Sequence, residues 1–211
     1  GRIVGPQGFC VASDFVPAML NGIAGRAGGE RLAYAAADMQ ALPFPDASFD
    51  RISCRFGIMF VPDVPRALSE ISRVLLPGGQ VGFLVWGRRE EQSLFTVLAE
   101  ATEAVLGKAH DDHHLAIFRF GEAGSLAQLL SSTGYRDIRE EHLQFTPHIP
   151  VGKPFWKAQL DMSFGHLLEG LDSAQAARLE RLLQDGFNAY INDGAYELTA
   201  ALRLVTATRR C

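Results

Sequence analysis

The sequence contains few cysteines, and none is placed as a redox or zinc-binding pair would require. The three cysteines stand at positions 10, 54 and 211 of 211 residues, without a Cys-x-x-Cys spacing. Cys10 and Cys54 fall in candidate buried strands, where a free cysteine behaves as a small apolar residue. We therefore predict that these thiols stay reduced and carry none of the chemistry, rather than forming a disulfide or acting as nucleophiles.

Long apolar runs and an excess of basic charge are also absent. No run approaches the ~18 apolar residues of a membrane span, and the N-terminus lacks the charged-then-apolar pattern of a signal peptide. The net charge is −4, with 20 basic and 24 acidic residues, which argues against a nucleic-acid surface. We expect a cytoplasmic protein with neither a membrane nor a nucleic acid as partner. The hydrophobic content of 47% allows one sizeable core, so residues 1–211 are predicted to form a single domain.

The clearest pattern in the sequence runs from residue 46 to residue 86. Residues 49–54 form a short strand candidate, and residues 63–75 carry apolar side chains at helical spacing, at positions 64, 67, 68, 71, 74 and 75. Asp63 is the candidate N-cap, and Pro65 falls in the first turn, where its missing N–H costs little. A turn at residues 76–79 should end the helix, and residues 80–86 read as a strand buried on both faces. Strand, helix and strand together indicate an α/β sheet.

Two strand candidates earlier in the chain each end on a carboxylate. Residues 8–13 are followed by Asp14, and residues 32–37 are followed by Asp38. In open parallel sheets, ligands bind outside the carboxyl ends of the strands. We therefore expect Asp14 and Asp38 to face one crevice. Between the two strands, a helix should open near Pro17 and break at the glycines of residues 25–29.

The second half of the sequence predicts further helices and two strands. The elements expected there are helices at 91–106 and 121–133, a polar loop at 108–115, a strand at 135–145, a largely helical stretch at 147–192 and a final strand at 196–208, with a helix as the alternative for this last segment. No internal repeat or low-complexity tract interrupts this order.

Three segments stand in a set order in this sequence: residues 9–20, residues 37–50 (ADMQALPFPDASFD) and residues 73–79 (RVLLPGG). Together they resemble class I S-adenosylmethionine-dependent methyltransferases, and the likeness is closest to bacterial quinone-biosynthesis C-methyltransferases. The resemblance covers residues 1 to about 88 by motif and the rest by topology. It implies an α/β, Rossmann-like fold whose mostly parallel sheet ends in an antiparallel strand at residues 196–208. A helical cap at residues 147–195 would be inserted before that strand.

The resemblance also implies roles for individual residues in binding S-adenosylmethionine. Asp14 would accept hydrogen bonds from both ribose hydroxyls, and Phe15 would pack on the adenine ring. Ala37, Asp38 and Met39 would form the cofactor-binding segment at the adenine, where Asp38 would accept from the amino group and the Met39 N–H would meet a ring nitrogen. The methionine part of the cofactor would be bordered by Arg55, Phe56 and Gly57. Plain packing against the sheet is an equal alternative for Phe15 and Phe56.

One part of the family pattern is not found in this sequence. The first strand of the family's sheet and its glycine-rich loop should precede Gly8, and only residues 1–7 stand there. Residues 1–6 resemble the end of the helix that follows that loop. We therefore expect an N-terminally incomplete fold, either because the chain starts late or because half of the cofactor site is lost, and the intact downstream motifs favour a late start.

Methyl transfer does not require a particular catalytic residue in the sequence. The sulfonium methyl donor is already activated, so the protein mainly has to hold the acceptor in line, with a base only for a poorly acidic acceptor. His148 and His166 could provide that base, although satisfied or surface histidines are the simpler interpretation. The histidines at 110, 113 and 114 are best explained by a solvated loop, and no metal site is expected. Trp86, Phe155 and Trp156 are candidates to line an apolar substrate pocket, with core packing as the alternative.

The leading hypothesis is therefore an enzyme that transfers a methyl group from S-adenosylmethionine to a small, apolar or aromatic acceptor. A non-catalytic binding module that retains the fold is a second possibility. A nicotinamide-dependent oxidoreductase is a third, because acidic strand ends also bind ribose in that class, but it gives no role to the Leu-Pro-Phe-Pro-Asp segment at residues 42–46.

Overall fold

The structure of the chain is a computed structural model that describes residues 4–5, 7–21, 31–107, 116–152 and 154–210. The chain divides into two compact units. The first unit takes residues from 1–52, 61–80 and 208–211, and the second takes residues from 53–60 and 81–207. None of the helices within the described ranges is both long enough and apolar enough to cross a membrane.

Strands and helices are interspersed through the first two thirds of the chain, as in an α/β protein. The strands are β1 (Cys10–Asp14), β2 (Leu32–Ala36), β3 (Phe49–Arg55), β4 (Leu75–Trp86), β5 (Tyr135–Phe145), β6 (His148–Pro150), β7 (Ile191–Asn192), β8 (Ala195–Glu197) and β9 (Ala200–Arg209). The α-helices are α1 (Pro17–Asn21), α2 (Val64–Val74), α3 (Ser93–Leu106), α4 (Ser125–Ser132), α5 (Lys157–Leu168) and α6 (Ser173–Asn188). Among these strands, the sheets have the orders β1-β2, β3-β4-β9-β5 and β6-β8-β7.

Helix α2 forms as the sequence predicts. The Asp63 carboxylate accepts a hydrogen bond from the Arg66 N–H at 3.0 Å, and Pro65 lies in the first turn. The apolar positions predicted from the spacing are all buried: Val64, Ala67, Leu68, Ile71, Val74 and Leu75. The sequence was sufficient to predict this helix because its cap and its apolar positions lie in one short, continuous segment.

The end of α2 differs from the prediction of a turn at residues 76–79. Leu75 already has an extended backbone, and β4 begins there and runs through Pro77 and Gly78. The last carbonyl groups of the helix, those of Arg73 and Val74, accept from the N–H groups of residues 47 and 48 at 2.9 and 2.7 Å. Because a neighbouring segment satisfies these carbonyls, the chain can leave the helix directly as a strand.

Strand β4 is less completely buried than predicted. Val81, Phe83 and Val85 are at most 2% exposed, whereas Leu84 and Trp86 on the alternate positions are half-buried. The strand therefore has one fully buried face and one partly covered face, which its continuous apolar sequence does not distinguish.

The core of the second unit joins α3, α5 and α6. Its buried residues are Val97, Leu98, Ala99, Ala101, Trp156, Leu160, Phe164, Leu179, Leu183, Phe187, Tyr196 and Leu198. The helices match the sequence patterns with shorter bounds: α3 starts at Ser93 after a 3-10 turn at Arg89–Glu91, and α4 covers only Ser125–Ser132. Strand β5 has the predicted bounds.

Residues 147–192, predicted as largely helical, also contain strands. Beside α5 and α6, β6 and β7 pair antiparallel with β8. Asp193 and Gly194 connect β7 to β8 with φ angles of 45° and 78°, as a two-residue type I′ hairpin turn requires. The Asp-Gly pair was the sequence signal for this hairpin, but strands of two or three residues are too short to show a period.

The predicted final strand at residues 196–208 is two strands, β8 and β9. Between them, Thr199 exchanges two hydrogen bonds with Ser93, each 3.0 Å long. The buried Gln92 side chain then bonds the Ala201 backbone, donating to its carbonyl at 2.7 Å and accepting from its N–H at 3.2 Å. Docking on the start of α3 therefore interrupts the strand, a contact between residues about one hundred positions apart.

Candidate nucleoside site

Asp14 and Asp38 lie at the same edge of a two-stranded parallel sheet in the first unit. Strands β1 and β2 pair in parallel from Cys10 opposite Leu32 to Asp14 opposite Ala36. The Ala37 N–H donates to the Asp14 carbonyl at 3.0 Å, which extends the pairing by one residue. Asp38 follows directly, so strand spacing and residue length put the two Cα atoms within about 9 Å of each other.

The Asp14 side chain is held by the residues that follow it. One carboxylate oxygen, Oδ1, accepts from the Val16 N–H at 2.8 Å. Within the described ranges the other oxygen has no hydrogen-bond partner, so it remains an acceptor for a ligand. Next to it, the Phe15 ring is 74% exposed, which is unusual for a large apolar side chain.

Asp38 begins a tight turn that presents a free backbone donor. Its carbonyl accepts from the Ala41 N–H at 3.0 Å, and its Oδ1 accepts from the Gln40 N–H at 2.8 Å. Between these bonds, the Met39 N–H has no protein acceptor in the described part of the chain. Asp38 therefore offers an acceptor, its carboxylate, and the next residue, Met39, offers a donor, its N–H.

The loop after this turn is fixed to helix α2 by Glu70 and Arg73. Glu70 Oε2 accepts from the Leu42 N–H at 2.9 Å, while the Arg73 guanidinium donates to the carbonyls of Leu42 and Phe44 at 2.9 and 2.8 Å. Arg73 also pairs with Glu70 and Asp46, each at 2.8 Å. Hydrogen bonding to Arg73 lowers the pKa of Glu70, and bonding to Glu70 raises the pKa of Arg73.

The lowered pKa of Glu70 predicts a pH-dependent contribution to stability. A group whose pKa falls on folding stabilises the protein above its unfolded pKa of about 4.3 and loses that contribution as the pH drops through the folded pKa. The melting temperature of Glu70→Gln should thus lie below that of the wild type at pH 7, and the gap should close between about pH 5 and pH 3. Glu100→Gln, on an exposed residue without an ion pair among the described residues, is the control; an equal gap at every pH would contradict the prediction.

Arg55 is the last residue of β3 and is followed by Phe56 and Gly57, and all three lie in the second unit. Phe56 has a φ of 55°, a conformation that a bulky residue rarely adopts outside functional or tightly constrained sites. Its N–H donates to the Leu84 carbonyl at 2.9 Å, and its ring stacks on Trp86 with centroids 4.7 Å apart. Burial raises the pKa of the Cys54 thiol, which keeps it protonated and unreactive at neutral pH.

The other candidates from the sequence have partners of their own in the second unit. The Trp156 ring is buried and stacks on Phe187 at 4.6 Å, so core packing accounts for it. His148 is exposed, with Nε2 3.4 Å from a Glu197 oxygen, and His166 is an exposed residue of α5 that also has an interaction partner. The histidine cluster at residues 110–114 lies outside the described residues.

Comparison with known proteins connects this geometry to a family. A family model described as "Methyltransferase domain" matches residues 4–83. A demethylmenaquinone methyltransferase of Deinococcus radiodurans is 35% identical over 143 residues, which are 62% of this chain and 59% of that protein. Both comparisons support a relationship to the class I S-adenosylmethionine-dependent methyltransferases, and residues 4–83 match the methyltransferase domain itself. The chain spans 59% of the length of that curated relative.

Solved structures of low sequence identity share the fold. The YcgJ protein of Bacillus subtilis is 17% identical, with a TM-score of 0.58 over 96% of this chain and 83% of its own. Phosphoethanolamine N-methyltransferase 2 of Haemonchus contortus, solved with S-adenosyl-L-methionine, is 15% identical, with a TM-score of 0.51 over 100% of this chain and 51% of its own. The predicted α/β, Rossmann-like class with a mixed, mostly parallel sheet is therefore confirmed.

S-adenosylmethionine is the cofactor of this family, and the groups at the ends of β1 and β2 suit its nucleoside. The second Asp14 oxygen can accept from a ribose hydroxyl, Asp38 can accept from an amino group, and the Met39 N–H can donate to a ring nitrogen. The exposed Phe15 ring offers a flat apolar surface for a base. The sequence alone did not reveal roles for Gln40, Glu70 or Arg73, although Arg73 opens the third motif.

Proposed function

We propose that this chain binds the adenosine of S-adenosylmethionine at the ends of β1 and β2, and that its full-length protein transfers the methyl group to a small, apolar or aromatic acceptor. The observation that carries this proposal is the placement of Asp14 and Asp38 at one edge of a parallel sheet, with an Asp14 oxygen and a Met39 N–H that have no partner among the described residues. Two acceptors and one donor at that edge match the hydrogen-bonding groups of adenosine.

Each residue of this site has a distinct role in the proposal. Asp14 accepts from the ribose hydroxyls, and Phe15 covers one face of the adenine. Asp38 accepts from the adenine amino group while the Met39 N–H donates to the neighbouring ring nitrogen, and Ala37 keeps the segment paired with β1. The roles of Arg55, Phe56 and Gly57 beside the methionine part stay a prediction of the family resemblance.

We propose that residues 147–195 select the methyl acceptor. This segment, with α5, α6 and the short strands β6 and β7, is proposed as a cap within one methyltransferase domain. The relative from Deinococcus radiodurans is named for demethylmenaquinone, so a quinone of that kind is the first acceptor to test. A cytoplasmic location remains a prediction.

Methyl transfer from S-adenosylmethionine requires the protein mainly to position the reactants. When bound, S-adenosylmethionine supplies a methyl group on a positively charged sulfur that is already a good leaving group. The chain's own groups hold the nucleoside and exclude other orientations, so positioning is the main source of rate enhancement. A histidine base is required only for an acceptor of low acidity.

Ligand-dependent stability distinguishes this proposal from its alternatives. We expect S-adenosylhomocysteine to raise the melting temperature of the full-length protein, by an amount equivalent to about 2.7 kcal/mol at 100 times its Kd, and NAD to leave it unchanged. Transfer of a radiolabelled methyl group to a demethylmenaquinone-type acceptor is the second expected result.

The alternatives give different outcomes in the same measurements. Stabilisation by NAD but not by S-adenosylhomocysteine would favour an oxidoreductase. Stabilisation by S-adenosylhomocysteine without transfer to quinone, phenol or other apolar acceptors would favour a binding module. Either result would contradict the proposed function.

A further inference from the structure

We infer that Gln40 is a positioning residue that orients Asp38 for adenine recognition by coupling it to the N-terminus of helix α2. This inference rests on the proposed function of Asp38. It concerns a side chain that contacts no proposed ligand group and acts through its neighbours.

The Gln40 amide is engaged at both ends. Its Nε2 lies 3.3 and 3.4 Å from the two Asp38 carboxylate oxygens, and its Oε1 accepts from the Asp63 N–H at 3.0 Å. Because a carboxylate can only accept and a backbone N–H can only donate, these partners fix which end of the amide is which. Gln40 therefore joins Asp38 to the N-cap of α2 in one defined orientation.

This arrangement completes a helix cap with a residue from another loop. In a capping box, the N3 side chain of the helix accepts from the N-cap N–H. Here N3 is Arg66, which has no acceptor, and Gln40 supplies the oxygen to Asp63 instead. Arg66 in turn donates from Nε to the Gln40 carbonyl at 3.0 Å. The closed ring of contacts fixes both the backbone and the side chain of Gln40.

The consequence concerns the direction of the Asp38 lone pairs. The Gln40 N–H and Nε2 both approach Oδ1, at 2.8 and 3.3 Å, so they set the rotation of the carboxylate. Within the described ranges Oδ2 has only the long 3.4 Å contact, which leaves it with lone pairs for a further donor. A carboxylate rotated in this way is ready to accept from an amino group without first being reordered.

Substitutions at Gln40 separate its two contacts. Gln40→Glu keeps an acceptor for the Asp63 N–H, near a helix N-terminus where negative charge is favourable, but loses the donor to Asp38 and repels it. Gln40→Ala loses both contacts. We expect Gln40→Glu to melt within about 2 °C of the wild type and Gln40→Ala to melt lower, since loss of capping contacts typically destabilises a helix by about 1 kcal/mol.

The deciding readout is discrimination between two nucleosides, measured by calorimetry on the full-length protein. S-inosylhomocysteine carries an oxygen where S-adenosylhomocysteine carries the amino group, so it presents an acceptor to Asp38. Hydrogen bonds to charged groups contribute enough for the wild type to prefer S-adenosylhomocysteine by about tenfold or more. We expect this ratio to fall below about threefold in Gln40→Glu and Gln40→Ala, and the Asp38→Ala/Gln40→Ala double variant to match Asp38→Ala.

A control variant and two contrary outcomes complete this experiment. Gln144→Glu makes the same chemical change on an exposed residue of β5 and should leave the ratio unchanged. If the Gln40 variants weaken both nucleosides by the same factor, or leave both unchanged while Asp38→Ala abolishes discrimination, Gln40 does not position Asp38 and only this inference fails. If Asp38→Ala retains the wild-type ratio, the proposed role of Asp38 fails together with it.

Discussion

Replacing Asp14 with alanine is expected to lower the affinity of the full-length protein for S-adenosylhomocysteine by about 100-fold or more. In the proposed site the Asp14 carboxylate accepts from two ribose hydroxyls, and each hydrogen bond to a charged group contributes about 1.5–3 kcal/mol. Alanine also removes the Oδ1 contact with the Val16 N–H, which holds the turn after β1. Isothermal titration calorimetry measures the loss directly.

A second substitution separates recognition from local structure. Asp14→Asn keeps an oxygen for the Val16 N–H but replaces the free acceptor with a donor, so its affinity should fall about 10- to 100-fold without a change in melting temperature. Asp185→Ala changes an exposed carboxylate on α6 and should bind like the wild type. If both Asp14 variants bound S-adenosylhomocysteine with wild-type affinity, the assignment of β1 to the nucleoside site would be wrong.

Replacing Arg203 with leucine is expected to destabilise the second unit by about 3–5 kcal/mol, the cost of leaving a buried charge without its partner. Arg203 is only 8% exposed, and its guanidinium donates to Glu140 at 2.9 Å and to the Gly121 carbonyl. The other Glu140 oxygen accepts from the Gly124 N–H at 3.0 Å, just before α4. Arg203→Leu therefore leaves both a carboxylate and a carbonyl unsatisfied in a buried region, and urea unfolding measures the loss.

A double variant of Arg203 and Glu140 tests whether the unpaired Glu140 charge causes the loss of stability. Glu140→Gln removes the unpaired charge and retains an acceptor for Gly124, so Arg203→Leu/Glu140→Gln should recover at least half of the lost stability. Arg139→Leu, on the exposed neighbouring residue of β5, should change the free energy of unfolding by less than about 0.5 kcal/mol. A loss below about 1 kcal/mol in Arg203→Leu would show that the ion pair is not needed for stability.

The elements that the sequence predicted well are those specified by short-range signals. Asp63, Pro65 and the apolar stripe of α2 lie within twelve consecutive positions, and a cap followed by a 3.6-residue period predicts such a helix from its own residues. The carboxylates after β1 and β2 were predicted for a similar reason. Each follows an apolar run, and parallel pairing brings strand ends to one edge.

The contacts that the sequence did not reveal join distant segments. Gln40 reaches Asp63, 23 residues away, and Arg73 reaches the Leu42 carbonyl, 31 residues away. Neither contact produces a period or a spacing rule, because a side chain that bonds a remote backbone group can occupy any position of its own segment. The division of the last strand has the same origin, since Thr199 is bound to Ser93 at the start of α3.

The most direct test of the proposed site is a crystal structure of the full-length protein with S-adenosylhomocysteine. The expected result is an adenosine at the ends of β1 and β2, with an Asp14 oxygen about 2.5–3.0 Å from each ribose hydroxyl and Asp38 about 2.7–3.2 Å from the adenine amino nitrogen. A nucleoside bound elsewhere, or one that contacts neither carboxylate, would contradict the account.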